Sequence, residues 1–277
     1  MSTATDHQPV LVVGGTGKTG SRVVSRLEAL GVATRPVSRS SAVPFDWNDR
    51  STWPAAIDGV GAAYLTYYPD VAFPGAKEAV SELAGMLAER GVERIVLLSG
   101  RGEEAAKAAE DALLAVVPTA RAVRCSFFAQ NFTEGMFAPD VMAGQLTIPV
   151  PDDVPEPFLD VDDIADVVVA ALRDDRHAGE VLELTGPESL TFPEAVGLVA
   201  DALGRPVGFR VATPEEYVAA VVAAGEPAEL GYGIVALFAE VLDGRNVATT
   251  DTVARVLGRP ATSLSVAVSR DAAALSH

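Results

Sequence analysis

The sequence predicts an α/β protein: a doubly wound parallel sheet followed by a small, mostly helical C-terminal lobe. Three observations predict it. Short apolar runs alternate with helical patterns from the first residues onward, and the first run ends in a cluster of glycines. After about residue 190 the alternation gives way to segments that carry helix-start signals.

Each element follows from its local pattern. Val10 to Val13 is a continuous apolar run of the kind that forms a strand buried on both faces. Val23, Val24, Leu27 and Leu30 recur at helical spacing, and Gly31 supplies a stop. Ala33 to Arg39 reads as a second strand, Ala42 to Trp47 as a shorter third, and Ala62 to Tyr67 as a fourth, with a turn at Asn48-Asp49 and a short helical piece before Gly59. Val80, Leu83 and Leu87 mark an amphipathic helix closed by Gly91. Arg94 to Ser99 is the cleanest buried strand, Glu103 to Val116 a helix, and Ala120 to Ser126 a sixth strand.

Beyond residue 127 the rhythm changes. Phe127 to Ala138 is aromatic and irregular, Gln145 to Val150 is a candidate strand, and Pro149 to Pro157 holds four prolines in nine positions. Asp162 to Leu172 reads as a helix and Val181 to Thr185 as the last strand of the sheet. Thr191 with Glu194 and Thr213 with Glu216 are capping boxes that open helices. The expected domains are therefore 8–190, a dinucleotide-binding unit in which 127–157 contributes in part to the substrate side, and 191–277, a substrate lobe. Met1 to Pro9 has neither the charge nor the apolar run of a secretory signal and reads as a tail.

Composition narrows the class of partner. With 38 acidic and 21 basic side chains the formal charge is −17, which repels phosphate backbones, so nucleic acid is not an expected partner. No apolar run is long enough to span a bilayer, so no membrane is expected either. Cys125 is the only cysteine, which fits a reducing cytoplasm and reads as a buried structural thiol. A small-molecule substrate, in a monomer or homodimer, is the remaining expectation.

The run Gly14-Gly15-Thr16-Gly17-Lys18-Thr19-Gly20 lies between a strand and a helix. That context makes it a phosphate-binding turn of the Rossmann type: Gly14 for the turn, Gly17 for close approach of a pyrophosphate, Gly20 for helix-sheet packing. The spacing satisfies both GxxGxxG and GxGxxG. Gly17-Lys18-Thr19 imitates the end of a nucleoside-triphosphatase loop, but the glycine needed five positions earlier is Val12. About twenty residues on, Ser38-Arg39-Ser40 has no acid to receive an adenosine ribose, and Arg39 suits a 2′-phosphate, so NADP(H) is the expected cofactor. Lys18 either adds charge to that phosphate or faces water.

GGTGKTGSRVV, SRSS with FDWND (45–49), RIVLLS (94–99), SFFAQNF (126–132), FLDVDDIADVV (158–168) and LELTGPESLTFPEA (182–195) together resemble the NmrA-like branch of atypical short-chain dehydrogenases, over about residues 10–205. Within the branch the sequence is similar to ergot-alkaloid-type reductases and to bacterial NAD(P)H:quinone and triphenylmethane-dye reductases. The resemblance implies a Rossmann-like sheet with NADPH in a groove beneath the small lobe. It would place Asp46 and Trp47 beside the adenine, Thr66 and Tyr67 by the middle of the cofactor, and Ser99 and Gly100 near the nicotinamide. Phe127, Phe128, Gln130 and Asn131 would line the substrate side, the two Phe reading equally well as core.

Ordinary short-chain dehydrogenases carry a Tyr with a Lys four positions later. The tyrosines at 64, 67, 68, 217 and 232 are followed at that spacing by Tyr68, Val71, Ala72, Val221 and Ala236. Without that dyad the chemistry points to acceptors that need little protonation: a quinone, an iminium, a quinone methide or a cationic dye. Tyr67, Tyr68 and Lys107 are the candidate catalytic residues should a proton be needed. The alternative is a non-catalytic NADP(H)-binding redox sensor of the NmrA type. Asp160, Asp162, Asp163 and Asp166 read as helix-capping charge rather than a metal site. Asp152, Asp153 and Glu156, in the proline-rich loop, read as solvated.

Overall fold

The computed structural model describes residues 8–275, with side chains through residue 272. The expectation of an N-terminal tail falls almost wholly outside these residues. The chain runs β1 (Val10–Val13), α1 (Lys18–Ala29), β2 (Thr34–Val37), α2 (Trp53–Ile57), β3 (Ala62–Leu65), α3 (Ala76–Ala88), β4 (Ile95–Gly100), α4 (Glu104–Val116) and β5 (Arg121–Cys125). It continues through α5 (Ala138–Ala143), β6 (Gln145–Ile148), α6 (Val161–Arg173) and β7 (Val181–Leu184). Then come α7 (Phe192–Leu203), β8 (Gly208–Val211), α8 (Pro214–Ala223), α9 (Ala228–Val241), α10 (Thr252–Leu257) and α11 (Leu264–Leu275).

Six parallel strands form one sheet in the order β2-β1-β3-β4-β5-β7. Successive strand residues face opposite layers, as the pleat requires. Leu11, Val13, Ala63, Leu65, Ile95 and Leu97 bury against α2, α3 and α4. Val10, Val12, Tyr64, Val96, Val123 and Leu182 bury against α1, α6 and α10 on the other face. Apolar side chains covered on both faces explain why these strands read as unbroken hydrophobic runs. The chain leaves β1 toward β2 and returns to its other side at β3. The crevice at the carboxyl ends of β1 and β3 is therefore the switch point where such sheets bind ligands.

One expectation needs correction. Residues 42–47 are not a sheet strand: they make only isolated bridges, Ser38 with Pro44 and Asp46 with Asp49. The Ser41 hydroxyl donates to the carbonyls of Ser38 and Val43 and curls the segment back, while Phe45 and Trp47 sink into the core. The C-terminal lobe is mostly helical, as expected, with one strand, β8, which pairs in parallel with β6 at Leu146–Phe209 and Thr147–Arg210. β8 is short and mostly exposed, so it carries no alternating signal.

The third core is aromatic. Phe132, Phe137, Phe158, Phe192 and Phe238 pack together with Val196, Val199, Leu264 and Val268. It draws on residues 129–158 as well as on 192–268, whereas Val253 of α10 returns to the sheet. Both capping boxes are formed, at Thr191 with Glu194 and at Thr213 with Glu216. Among the described residues no helix is long and apolar enough to cross a membrane.

Candidate active site

The glycine loop is built by exclusion of side chains. Gly14 has φ +72°, and a Cβ there would occupy the position of the Thr66 hydroxyl, which donates to the carbonyl of Val13 at 3.0 Å. A Cβ on Gly20 would fall on the carbonyl of Gly14. A Cβ on Gly17 would press on that same carbonyl at 3.3 Å and meet nothing else within 4 Å, and Gly17 lines the open cleft. α1 begins with no acidic residue in its first turn and no capping side chain, leaving the first N–H groups available to an anion.

A cleft of about 580 Å³ runs from this loop across the ends of β1, β2 and β3. Gly14, Thr16, Gly17, Lys18, Thr19, Ser38, Arg39, Asp46, Trp47, Thr66, Tyr67 and Tyr68 all line it, with Leu98 and Phe128 at its far end. Gly20 stands behind the loop and supports it. Several of these residues are already committed to other groups. Tyr64 donates to the Thr19 hydroxyl at 3.0 Å, and the Trp47 indole N–H donates to the Thr66 carbonyl at 2.8 Å. Asp46 accepts from the Asn48 N–H at 2.9 Å. Burial raises the Tyr67 phenol.

The two cations of the cleft behave differently. The Arg39 guanidinium stacks over the exposed Tyr68 ring at 5.1 Å and has no carboxylate partner among the described residues. Lys18, half-buried, is engaged by a neighbour. Its Nζ donates to Asn131 Oδ1 at 2.6 Å and lies 5.9 Å from the Phe128 ring, tying the loop to the segment beneath the lobe. Burial holds its pKa below the usual lysine value.

At Leu98 and Phe128 the cleft meets a second cavity, of about 180 Å³. Ser99, Gly100, Phe127, Asn131 and Phe238 line it, together with Glu103, Cys125 and Glu156. Phe127 lines this space and also stacks on Phe137 at 5.8 Å. The Ser99 hydroxyl is turned away and donates to the buried Glu110 at 2.5 Å, which also holds Arg124. Gln130 lies outside the lining, fully buried, donating to Asp160 at 2.8 Å and to Asp271 at 2.9 Å. Lys107 is also absent from it: it sits exposed on α4, paired with Asp111 one turn on at 2.9 Å.

Two acids of this cavity escaped the sequence reading. Glu156 is buried, not solvated: its carboxylate accepts the Phe127 N–H at 3.2 Å, and burial pushes its pKa up to about 7. Asp152 and Asp153 are exposed. Glu103 Oε2 is buried without an N–H or hydroxyl donor, and its carboxyl meets that of Asp70. Burial, then the charges of Asp70, Glu240 and Glu110, drive Glu103 up to about 9. No sequence motif announces either acid. Arginines take up the other acidic cluster: Asp160 pairs with Arg270, Asp162 with Arg26, and Asp163 and Asp166 with Arg259.

The NmrA-like family matches residues 111–263. The chain belongs to the NmrA-like family. An uncharacterized oxidoreductase, YesF, of Bacillus subtilis (strain 168) is 31% identical, covering 94% of this chain and 93% of that protein. The NAD(P)H azoreductase of Xenophilus azovorans is 27% identical, over 91% and 94%. The triphenylmethane reductase of Citrobacter sp., solved with NADP(H), superposes with TM-score 0.73 at 17% identity, over 95% of this chain and 99% of that one. At that identity the superposition speaks for the Rossmann-like fold of this NmrA-like protein.

Proposed function

We propose that this NmrA-like protein is an NADPH-dependent reductase of a small, flat, conjugated acceptor. The observation that carries the reading is the Arg39 guanidinium, without an acidic partner among the described residues, at one end of a cleft whose other end opens into the aromatic cavity. The residues fit the cofactor. The open side of Gly17 and the uncapped N-terminus of α1 suit a pyrophosphate, and Ser38 and Arg39 suit a 2′-phosphate. NADPH bound there supplies a hydride.

The chain itself orients and dries the reaction. Phe127, Phe128 and Phe238 wall the cavity, and Lys18 with Asn131 closes its seam with the cleft. A cavity of about 150 Å³ holds a benzene ring, so about 180 Å³ suits an acceptor of one ring or little more. Tyr67, on the cleft side, is placed to position the cofactor or the acceptor. That relatives are named azoreductase, festuclavine synthase and agroclavine dehydrogenase supports conjugated or imine-like acceptors.

NADPH oxidation measured against benzoquinones, cyclic imines and cationic dyes tests the reading. Turnover with at least one class is the expected result. Tight NADPH binding with no turnover across the panel would overturn it in favour of a cofactor sensor.

A further inference from the structure

The missing Tyr–Lys dyad leaves open where a proton would come from when the acceptor needs one. The structure offers a source on the cavity side. Glu103 is the N-cap of α4, a position that favours an ionised carboxylate, yet its side chain makes no capping bond. It turns back over Gly100, where a Cβ would collide with the carboxyl, and so reaches the wall of the cavity. Asp70, on the loop after β3, turns in to meet it and accepts the Ala72 N–H at 2.8 Å. Two buried carboxyls that meet cannot both ionise without a large cost, so one proton stays with the pair.

The groups around this pair are Glu110 on α4, Glu240 on α9, the buried Cys125 thiol on β5, and Arg101 and Glu156 in the same cavity wall. Arg101, the cation among them, is already held by Glu183 and by the Asn246 carbonyl. Like charge and burial together keep the shared proton in place at neutral pH.

Resting on the reductase reading above, we propose that the Asp70–Glu103 pair is the proton donor of this site, with Glu103 giving the proton and Asp70 holding and restoring it. An unsaturated carbonyl or quinone that has received hydride from the dihydronicotinamide carries the new electron pair on oxygen. The carboxyl O–H bond of Glu103 breaks, an O–H bond forms on that oxygen, and Glu103 keeps the bonding pair as a carboxylate. A proton from water, passed through the half-buried Asp70 carboxyl, returns the pair to its starting state. The sum is NADPH, one proton and the oxidised acceptor giving NADP⁺ and the reduced acceptor. A cationic acceptor becomes neutral on receiving hydride and uses no such proton.

That contrast provides the test. Glu103→Gln keeps the size of the side chain and can still hydrogen-bond Asp70. It should lower the ratio of kcat with benzoquinone to kcat with a cationic triphenylmethane dye by about 100-fold or more. The wild-type benzoquinone profile should fall on the alkaline side as the pair loses its proton. Asp70→Asn, which removes a like charge, should move that fall to lower pH. Independently of turnover, infrared spectra of the cofactor-free protein at pH 8, where Glu156 is ionised and Glu103 is not, should show a neutral carboxyl band that Glu103→Gln removes.

An unchanged ratio, or wild-type spectra without the band, would overturn the donor while leaving the reductase reading intact. A wild type that binds NADPH but reduces none of these acceptors would overturn both.

Discussion

The two ends of the site are built on opposite principles. At the cofactor end, backbone and glycines make the surface: Gly14, Gly17 and Gly20 clear space, and α1 presents N–H groups. At the acceptor end, bulky side chains from distant segments make it: Phe127 and Phe128 after β5, Phe238 from α9, Glu103 before α4 and Glu156 from the proline-rich loop. On the proposed reading, one surface binds a group common to many enzymes and the other an acceptor particular to this one. The first is therefore local and rigid, while the second depends on how the lobe settles onto the sheet.

Substitution at Gly20 should have the largest effect, because it attacks the local end directly. In Gly20→Val the new side chain would fall on the Gly14 carbonyl. Overpacking of that kind costs about 3 kcal/mol or more, a fall in Tm of about 6–12 °C for a chain of this size, and NADPH binding should be lost. Gly85→Ala is the matched control, since a methyl at Gly85 meets nothing within 4 Å. Thermal melts with and without NADPH compare the two variants; equal Tm would mean that close backbone approach does not build the loop.

Arg39 tests the charge of the same end. Arg39→Ala removes a guanidinium that no acid of the described chain occupies. Charge-assisted hydrogen bonds contribute about 1.5–3 kcal/mol, so the NADPH Kd should rise about 10- to 150-fold while that for NADH stays within about twofold. Titration by fluorescence gives both constants. Equal losses would remove the 2′-phosphate from Arg39.

At the acceptor end the third prediction concerns Glu156, through the pH dependence of folding. Its folded pKa, pushed up to about 7 by burial, exceeds the ordinary value of 4.5. Below pH 4.5 both folded and unfolded chains hold the proton, and burial of the neutral acid exacts no charge penalty. Between pH 4.5 and 7 only the unfolded chain releases it, so stability falls as pH rises, and above pH 7 the loss is complete. Glu156→Gln can still accept the Phe127 N–H and avoids that loss. Its Tm relative to wild type should rise by a few degrees, on the order of 1–3 kcal/mol, between pH 5 and pH 8. A constant difference would mean that Glu156 is solvated after all.

How much of this was legible in the sequence follows the same division. The loop could be read because its constraints lie within seven residues, between a strand and a helix whose periods differ. The sheet could be read because strands covered on both faces are written as apolar runs. The segment 42–47 misled because Phe45 and Trp47 look like strand residues, while the Ser41 hydroxyl that bends the chain leaves no pattern. β8 escaped because its partner lies some sixty residues earlier. Glu156 and Glu103 escaped for a deeper reason. A carboxylate among prolines or at a helix start is ordinarily solvated, and only the tertiary packing of α9 and the Phe127 segment buries these two.

Lys107 marks where that distant packing matters for the chemistry, and its substitution should have the smallest effect. By position along the chain it is as plausible a proton donor as Glu103, four residues before it. α4 separates them: Glu103, at the N-terminal end, turns into the cavity, whereas Lys107 lies one turn on, facing solvent and paired with Asp111. The exposed i,i+4 pair raises the Lys107 ammonium, keeping it charged and away from the acceptor. Lys107→Ala should therefore leave kcat with benzoquinone within about twofold, and its pH profile should keep the wild-type alkaline limb. Loss of that limb in steady-state rates would mean that Lys107 reaches the cavity, and that a surface lysine does what the buried carboxyl pair is proposed to do.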